Sequence, residues 1–421
     1  MNASGILLLY VVFFLARCAA DMVLDALNLA HVRANSAAVP GAFVGTVDAA
    51  TYARSVSYTL SRGRFGLLSE ALSSAVLLAV VVTGFLGTLE GLTAALPLHP
   101  YLRGVLFIGI VSLLFWLVQL PFTLYSVFSI ETRFGFNRTT PRLFLVDTLK
   151  GLGIGTLIGV PVLLGLFWFM DSTGRLWWLW AFAAVSIFEL VMNVLAPLLI
   201  APLFNTFTPL PEGPLKERIS ELARALKFRT RGIFIVDGSR RSRHSNAYFT
   251  GLGKAKRIVL FDTLVSGSTQ EEIAAVLAHE IGHEKLSHVK KGVAVSLVFS
   301  LAGFAILGLL LPWPPLYAAF GFPRPGSAAL LVLVAFCAGP FTFFLQPLFS
   351  LWSRRHEYQA DSFAVQGIGS AAGLKSALLR LSRDNLSNLT PHPLYSFFHY
   401  SHPTLAERLA ALDRAEKALS A

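Results

Sequence analysis

The sequence predicts a mainly α-helical membrane protein with seven transmembrane helices and an α+β portion outside the bilayer. Three observations carry that prediction. Of 421 residues, 54% are hydrophobic and only 14% charged, against about 25% charged in soluble domains, and mean hydropathy is +0.62. Seven stretches are long and apolar enough to cross a bilayer, which takes about 20 residues per helix. Two polar segments, 205–291 and 352–421, stand outside those stretches.

The spans fall at residues 4–20, 71–89, 104–125, 152–170, 176–200, 292–311 and 327–351. The first contains Arg17 and has the length of a signal peptide. However, Met1-Asn2-Ala3-Ser4 lacks the basic residues of such a leader, so a retained helix is expected. Short loops on one side carry Arg33, Arg54, Arg62, Arg64, Arg133, Arg138, Arg142 and Lys150, while the other side offers Arg103, Arg175 and Arg324. That bias puts the N-terminus outside and the C-terminus in the cytoplasm, in the inner membrane if the host is bacterial. The chain then divides into spans 1–5 with their loops (1–204), a cytoplasmic polar segment (205–291), spans 6–7 (292–351) and a cytoplasmic C-terminal segment (352–421). A net charge of +11 is accounted for by this topology, and no nucleic-acid partner is expected. Cys18 and Cys337, both in apolar runs, rule out a disulfide scaffold and a four-cysteine zinc module.

Within the first polar segment, 214–228 has apolar residues at helical spacing. The runs 232–236 and 257–261 are β-branched and aromatic between turn residues, as strands are, and 246–250 is a candidate third strand. A capping box, either Ser268 with Glu271 or Thr269 with Glu272, opens a helix that runs to about His288. In the second polar segment a helix starts near Arg354, and the chain is helical again after Pro403.

The capped helix contains His279-Glu280-Ile281-Gly282-His283. Two histidines at i and i+4 project from one helix face, close enough to share one metal ion. Imidazole nitrogens suit Zn²⁺, which in catalytic sites takes three protein ligands and keeps a place for water. Zinc lowers the pKa of that water toward about 7. The Glu280 carboxylate can take the water's proton and return it to a leaving amine, which is peptide hydrolysis without a covalent intermediate. The small, apolar flank at residues 273–278 buries this helix, and ionisable groups in a buried helix need partners. The best third ligand is Glu357. Glu357 and Asp361 are i and i+4, so either could ligate while the other takes the free N–H of a ligand histidine. His288 and His356 read as surface residues.

These motifs resemble the integral-membrane zinc metallopeptidases of the CAAX prenyl protease 1 type. The likeness includes the seven-span layout, the stretch from Glu131 to Asn137, Asn246-Ala247-Tyr248 and Phe261-Asp262-Thr263-Leu264. It continues through the histidine motif, the Glu357–Asp361 stretch, Ser401-His402-Pro403 and Glu407-Arg408. The resemblance implies His279, His283 and Glu357 as zinc ligands, Glu280 as catalytic base and Asp361 as the outer partner of a ligand. It implies an edge strand carrying Asn246, Ala247 and Tyr248 that pairs with the substrate backbone, His402 as oxyanion stabiliser and Arg408 in support. It also implies one Zn²⁺ per chain, a water-filled chamber among the helices, and a peptide or protein substrate that is prenylated or membrane-associated.

Physical chemistry supports the same roles. An unpaired strand edge binds many sequences through their backbone, and a tetrahedral intermediate needs a hydrogen-bond donor, which a histidine supplies. Glu189 and Asn193, i and i+4 in the fifth span, would line a cavity, since an acid at bilayer depth rarely faces lipid. Pro121, Pro161, Pro197, Pro340 and Pro347 would kink or end spans. Three rivals are weighed. A quality-control membrane endopeptidase without a prenyl requirement shares the metal motif, but its kind has fewer spans. A non-enzymatic zinc-binding scaffold would lack the base or add a fourth ligand. A transporter would place ion-pathway residues in several spans.

Overall fold

The computed structural model describes residues 1–250 and 256–420. Eighteen helices and four strands are described, and seven helical stretches are long and apolar enough to cross a membrane. In the first half these are α1 (Ala3–Ala34), α2 (Ala49–Val82), α4 (Pro100–Tyr125), α5 (Pro141–Ser172) and α6 (Trp177–Leu195). A short α3 (Phe85–Ala94) follows α2, and α7 (Ala201–Phe204) ends the half.

α1, α2 and α5 are far longer than a bilayer requires, and the first two carry that length into the polar portion. At 1.5 Å per residue, the 32 residues of α1 and 34 of α2 reach roughly 50 Å against a hydrocarbon core of about 30 Å. Their projecting ends hold the polar part of the molecule. Asn28 accepts from the His392 backbone N–H at 3.1 Å, the Tyr52 hydroxyl donates to the Asn35 carbonyl at 2.7 Å, and Ser55 donates to the Ser387 carbonyl. At the opposite end of α1, Ile6, Tyr10 and Phe14 pack with Tyr317, Phe320 and Leu330 in the largest membrane-side cluster. The beginning of α1 and the polar portion therefore lie at opposite ends of the bundle.

The expected second span, 71–89, is interrupted. α2 stops at Val82, and Gly84 takes φ +73 before α3. Only glycine does this without strain. Gly87 packs so closely on Gly321 that a side chain there would run into the Gly321 carbonyl. The last span is also broken: α13 (Ser327–Cys337) and α14 (Gly339–Thr342) precede α15 (Gln346–Ile368), with Pro340 and Pro347 in the first turns of the latter two. A proline's missing N–H costs nothing there. α15 carries the chain from the bilayer into the polar portion without interruption, so the helix expected near Arg354 begins eight residues earlier.

The polar portion holds one sheet of β1 (Phe207–Pro209), β2 (Gly232–Val236), β3 (Ala247–Thr250) and β4 (Arg257–Phe261), in the order β1-β2-β4-β3. β2 and β4 run parallel and the outer pairs are antiparallel. Against the sheet pack α8 (Pro214–Ala225), α9 (Asp262–Gly267), α10 (Gln270–Lys285) and α15. Their core includes Ile219, Ile258, Leu260, Ile273, Leu277 and Ala364. α11 (His288–Leu310) and α12 (Pro314–Ala319) return the chain through the membrane side. α16 (Ala372–Asp384), α17 (Pro393–His399) and α18 (Leu405–Ser420) complete the C-terminal segment.

Candidate metal centre

α10 is built to start where it does. Of the two capping boxes open in the sequence, Thr269 with Glu272 forms: Thr269 Oγ1 accepts from the Glu272 N–H at 3.2 Å, and Glu272 Oε2 accepts from the Thr269 N–H at 2.8 Å. Glu272 is buried and also accepts from Ser376 at 2.6 Å and Arg380 at 2.8 Å, tying α10 to α16. Farther along, α10 meets α15 at backbone contact. The Cα and carbonyl of Ala360 lie where a side chain on Gly282 would go. Gly282→Val is expected to separate these helices and cost about 1–3 kcal/mol of stability, the usual range for overpacking. Thermal denaturation of the purified protein checks this.

That close approach brings the two motifs together. His279 Nε2 lies 3.2 Å from His283 Nε2, and these atoms are 3.5 and 3.3 Å from the two Glu357 carboxylate oxygens. The three side chains offer one ligand atom each, all within 4.8 Å of one another. His279 and Glu357 are buried, and His283 is partly so.

Two observations test whether a metal ion fits. Glu357 Oε2 is buried with no hydrogen-bond donor; a buried carboxylate oxygen without a donor carries a large desolvation cost that a cation would offset. His279 Nδ1 lies 2.8 Å from Asp361 Oδ1. That nitrogen therefore carries the proton and leaves Nε2 with its lone pair toward His283 and Glu357. Two imidazoles and a carboxylate with bare donor atoms facing inward are a set that Zn²⁺ or a similar divalent ion takes, and no fourth protein ligand is found among the described residues.

The surrounding groups hold this arrangement. Arg408 forms a bidentate pair with Asp361, Nη2 to Oδ1 at 2.6 Å and Nε to Oδ2 at 2.9 Å, and its Nη1 stands 3.7 Å from Glu357. Burial would lower the Arg408 pKa, but Asp361 outweighs it and holds the guanidinium above its ordinary value. Of the two roles left open for Glu357 and Asp361, Glu357 faces both histidines, and Asp361 faces the far nitrogen of His279. Glu280, between the histidines in sequence, has its carboxyl pushed up by burial, partly offset by His279 and His283. A raised pKa suits a proton acceptor that must also donate. His402 opens to the cavity, with Nε2 3.5 Å from Glu357 Oε1 and Nδ1 3.0 Å from the Ser401 hydroxyl.

β3 is the edge of the sheet, with no strand on its outer side among the described residues. Ala247 is buried and Tyr248 partly buried. Asn246 lies exposed just before the strand, its carbonyl accepting from the Phe261 N–H at 3.0 Å. Two cavities meet at Asn385, Asn388 and Tyr400, and the larger reaches Asn246. One, of about 420 Å³, is lined by His402, Arg408, Asn385, Asn388 and Tyr400. The other, of about 790 Å³, is lined by Asp25, Tyr58, Arg62, Asn246, Tyr395 and again Tyr400. Glu189 is exposed, and Asn193 donates back to its carbonyl at 3.0 Å rather than to its side chain.

Two features escape the sequence reading. Glu131, first residue of the loop quoted for the resemblance, accepts from the Tyr58 hydroxyl at 2.7 Å and stands 3.5 Å from His244 Nε2, while Phe136 stacks on His244 at 4.2 Å. This clamp fixes the chain just before β3. Hydrogen bonding to Glu131, opposed by burial, raises the His244 pKa above its ordinary value. A raised pKa in the folded state stabilises the fold fully below the unfolded pKa, about 6.5. The contribution is lost as pH climbs through the folded value. The melting-temperature gap between wild type and His244→Gln should therefore narrow as pH rises above about 6.5, which differential scanning fluorimetry across pH would measure.

The second concerns His288, expected on the surface at the tail of α10. It is buried, begins α11 and points its Nδ1 at His283 Nδ1, 3.1 Å away. His356, also expected on the surface, stacks on it at 4.0 Å. The cause is Ser287, whose φ of +58 ends α10 and folds the chain back. No glycine marks that turn.

Residues 28–206 match the family described as CAAX prenyl protease N-terminal, five membrane helices, and residues 209–416 match peptidase family M48. The CAAX prenyl protease 1 homolog of Arabidopsis thaliana is 36% identical over 387 residues, covering 90% of this chain and 91% of its own. CAAX prenyl protease 1 of Saccharomyces cerevisiae is 36% identical over 403 residues, 89% of this chain and 88% of its own. The crystal structure of S. mikatae Ste24p superposes with a TM-score of 0.91 at 34% identity, across 97% of this chain and 99% of that one. Fold and site thus define an integral-membrane metallopeptidase. The chain belongs to peptidase family M48, among the proteins of the CAAX prenyl protease 1 type.

Proposed function

We propose that this protein is a zinc endopeptidase that removes C-terminal residues from prenylated CAAX proteins at the cytoplasmic face of its membrane. The carrying observation is the convergence of His279 Nε2, His283 Nε2 and the donor-poor Glu357 carboxylate beside Glu280. His279, His283 and Glu357 would hold Zn²⁺, whose Lewis acidity makes water nucleophilic near neutral pH. The chain's own residues do the rest. Glu280 takes a proton from the attacking water and passes it to the leaving amine. His402 donates to the oxygen that gains charge on the substrate carbonyl. Asp361, held by Arg408, keeps His279 in the tautomer that ligates.

The free edge of β3, from Asn246 through Ala247 to Tyr248, would pair with the substrate backbone, so that recognition there does not depend on side chains. The larger of the adjoining cavities, walled partly by α1 and α2, offers a prenylated segment a place beside the membrane. The excess of arginine and lysine on the loops of one side supports a cytoplasmic catalytic portion, formed by 205–291 with 352–421, and an external N-terminus.

The test is direct: purified protein is incubated with a farnesylated CAAX peptide and with the same peptide unprenylated, and the released tripeptide is quantified. Preferential cleavage of the farnesylated peptide is expected. Equal rates would remove the prenyl group from recognition, and no cleavage of either would remove the CAAX assignment.

A further inference from the structure

We infer that His288 is a positioning residue for the metal centre, fixing the tautomer of His283 so that Nε2 presents a bare lone pair to the ion. The inference rests on the zinc reading above and concerns a residue outside the motif.

The logic runs inward from Gln359. Its Oε1 lies 3.0 Å from His288 Nε2 and can only accept, so that nitrogen carries the proton. A neutral imidazole has one N–H, and His288 Nδ1 is therefore an acceptor. It faces His283 Nδ1 at 3.1 Å, which must then donate. With its proton on Nδ1, His283 leaves Nε2 unprotonated, 3.2 Å from His279 Nε2 and 3.3 Å from Glu357. The reverse order would place a proton on the nitrogen that faces the other two ligands and close the site.

The ring of His288 is not free to turn. Ser287, at φ +58, aims it back along α10, and His356 stacks on it with an interplanar angle of 9° while Trp352 meets His356 edge-on at 4.4 Å. The two ligand histidines thus have different outer partners. His279 is held by the Asp361 carboxylate, itself clamped by Arg408, and His283 by a neutral imidazole that ends on an amide.

The experiment compares His288→Asn with His288→Leu, two side chains of similar shape of which only Asn keeps an acceptor near the Nδ1 position. Zinc affinity is measured by chelator competition on the full-length protein in detergent. The visible spectrum of the Co²⁺-loaded protein reports ligand geometry. Leu should weaken affinity about 10–100-fold, the usual effect of losing an outer partner of a ligand histidine. Asn should recover most of that loss and keep the wild-type Co²⁺ spectrum. Should His288→Leu fail to fold, His288→Ala takes its place. Equal affinity in wild type and the apolar variant overturns the inference. So does an equal drop in the apolar and Asn variants, which would mean packing alone. Failure of the zinc reading looks different: the wild-type protein itself would bind no zinc.

Discussion

Replacing Glu280 by Gln is expected to leave one zinc per chain and lower peptide cleavage by at least about 10²–10⁴-fold, the range a positioned base supplies. Glutamine keeps the shape and the helix but cannot take a proton. His279, His283 and Glu357 would remain in place, because they are held by Asp361, His288 and the contact of α10 with α15 rather than by Glu280. Elemental analysis and a peptide assay on one preparation separate the two quantities. Cleavage at the wild-type rate would take Glu280 out of the mechanism. Loss of zinc would instead place its carboxylate among the groups that hold the ion. Because burial pushes the Glu280 carboxyl upward, the acidic limb of the wild-type pH–rate profile should lie above the ordinary glutamate range and vanish from any residual activity of the variant.

What the sequence made legible follows from which interactions are local. The spans could be read because lipid burial demands unbroken apolar runs. Their ends could not, because α1 and α2 continue as helices past the bilayer, where Asn28 and Ser55 bond to the C-terminal segment and Tyr52 to the Asn35 carbonyl at the end of α1 instead of facing lipid. β2 and β4 match their expected limits. β1 is only three residues ending in Pro209 and carries no alternation to detect. α16 and α17, between the two expected C-terminal helices, were not foreseen, although Leu374, Ala377 and Leu378 of α16 pack at helical spacing.

At the candidate site, each i,i+4 pair on one helix was visible: His279 with His283, and Glu357 with Asp361. How those pairs face each other was not, since it depends on Gly282 meeting Ala360 across two helices. His288 departs from its expected surface position for a sharper reason. A positive φ at a non-glycine residue is uncommon, so Ser287 gives no warning that the helix ends and the next side chain turns inward. The Glu131–His244 clamp joins segments more than a hundred residues apart, and no local pattern reports such a contact.

Glu357→Ala carries the other large expected effect. Zinc affinity should fall by more than the roughly 10–100-fold typical of an outer partner, because a ligand is lost and a buried charge is left unbalanced. Arg408 now sits between two acids, paired with Asp361 and 3.7 Å from Glu357. Without Glu357 the site loses its inner negative charge, and the two imidazoles face a cavity bordered by a guanidinium. A divalent cation would then be held by two neutral ligands beside a fixed positive charge. Glu357→Gln makes the sharper comparison, since it retains volume and one oxygen donor while removing the charge. If charge governs binding, Gln should fall nearly as far as Ala; if only a donor atom is needed, Gln should hold zinc far better. Unchanged metal content in both variants would require another third ligand. His402, whose Nε2 stands 3.5 Å from Glu357 Oε1, is the nearest nitrogen on a different segment to supply it, and a Glu357→Ala/His402→Ala double variant would then lose the ion.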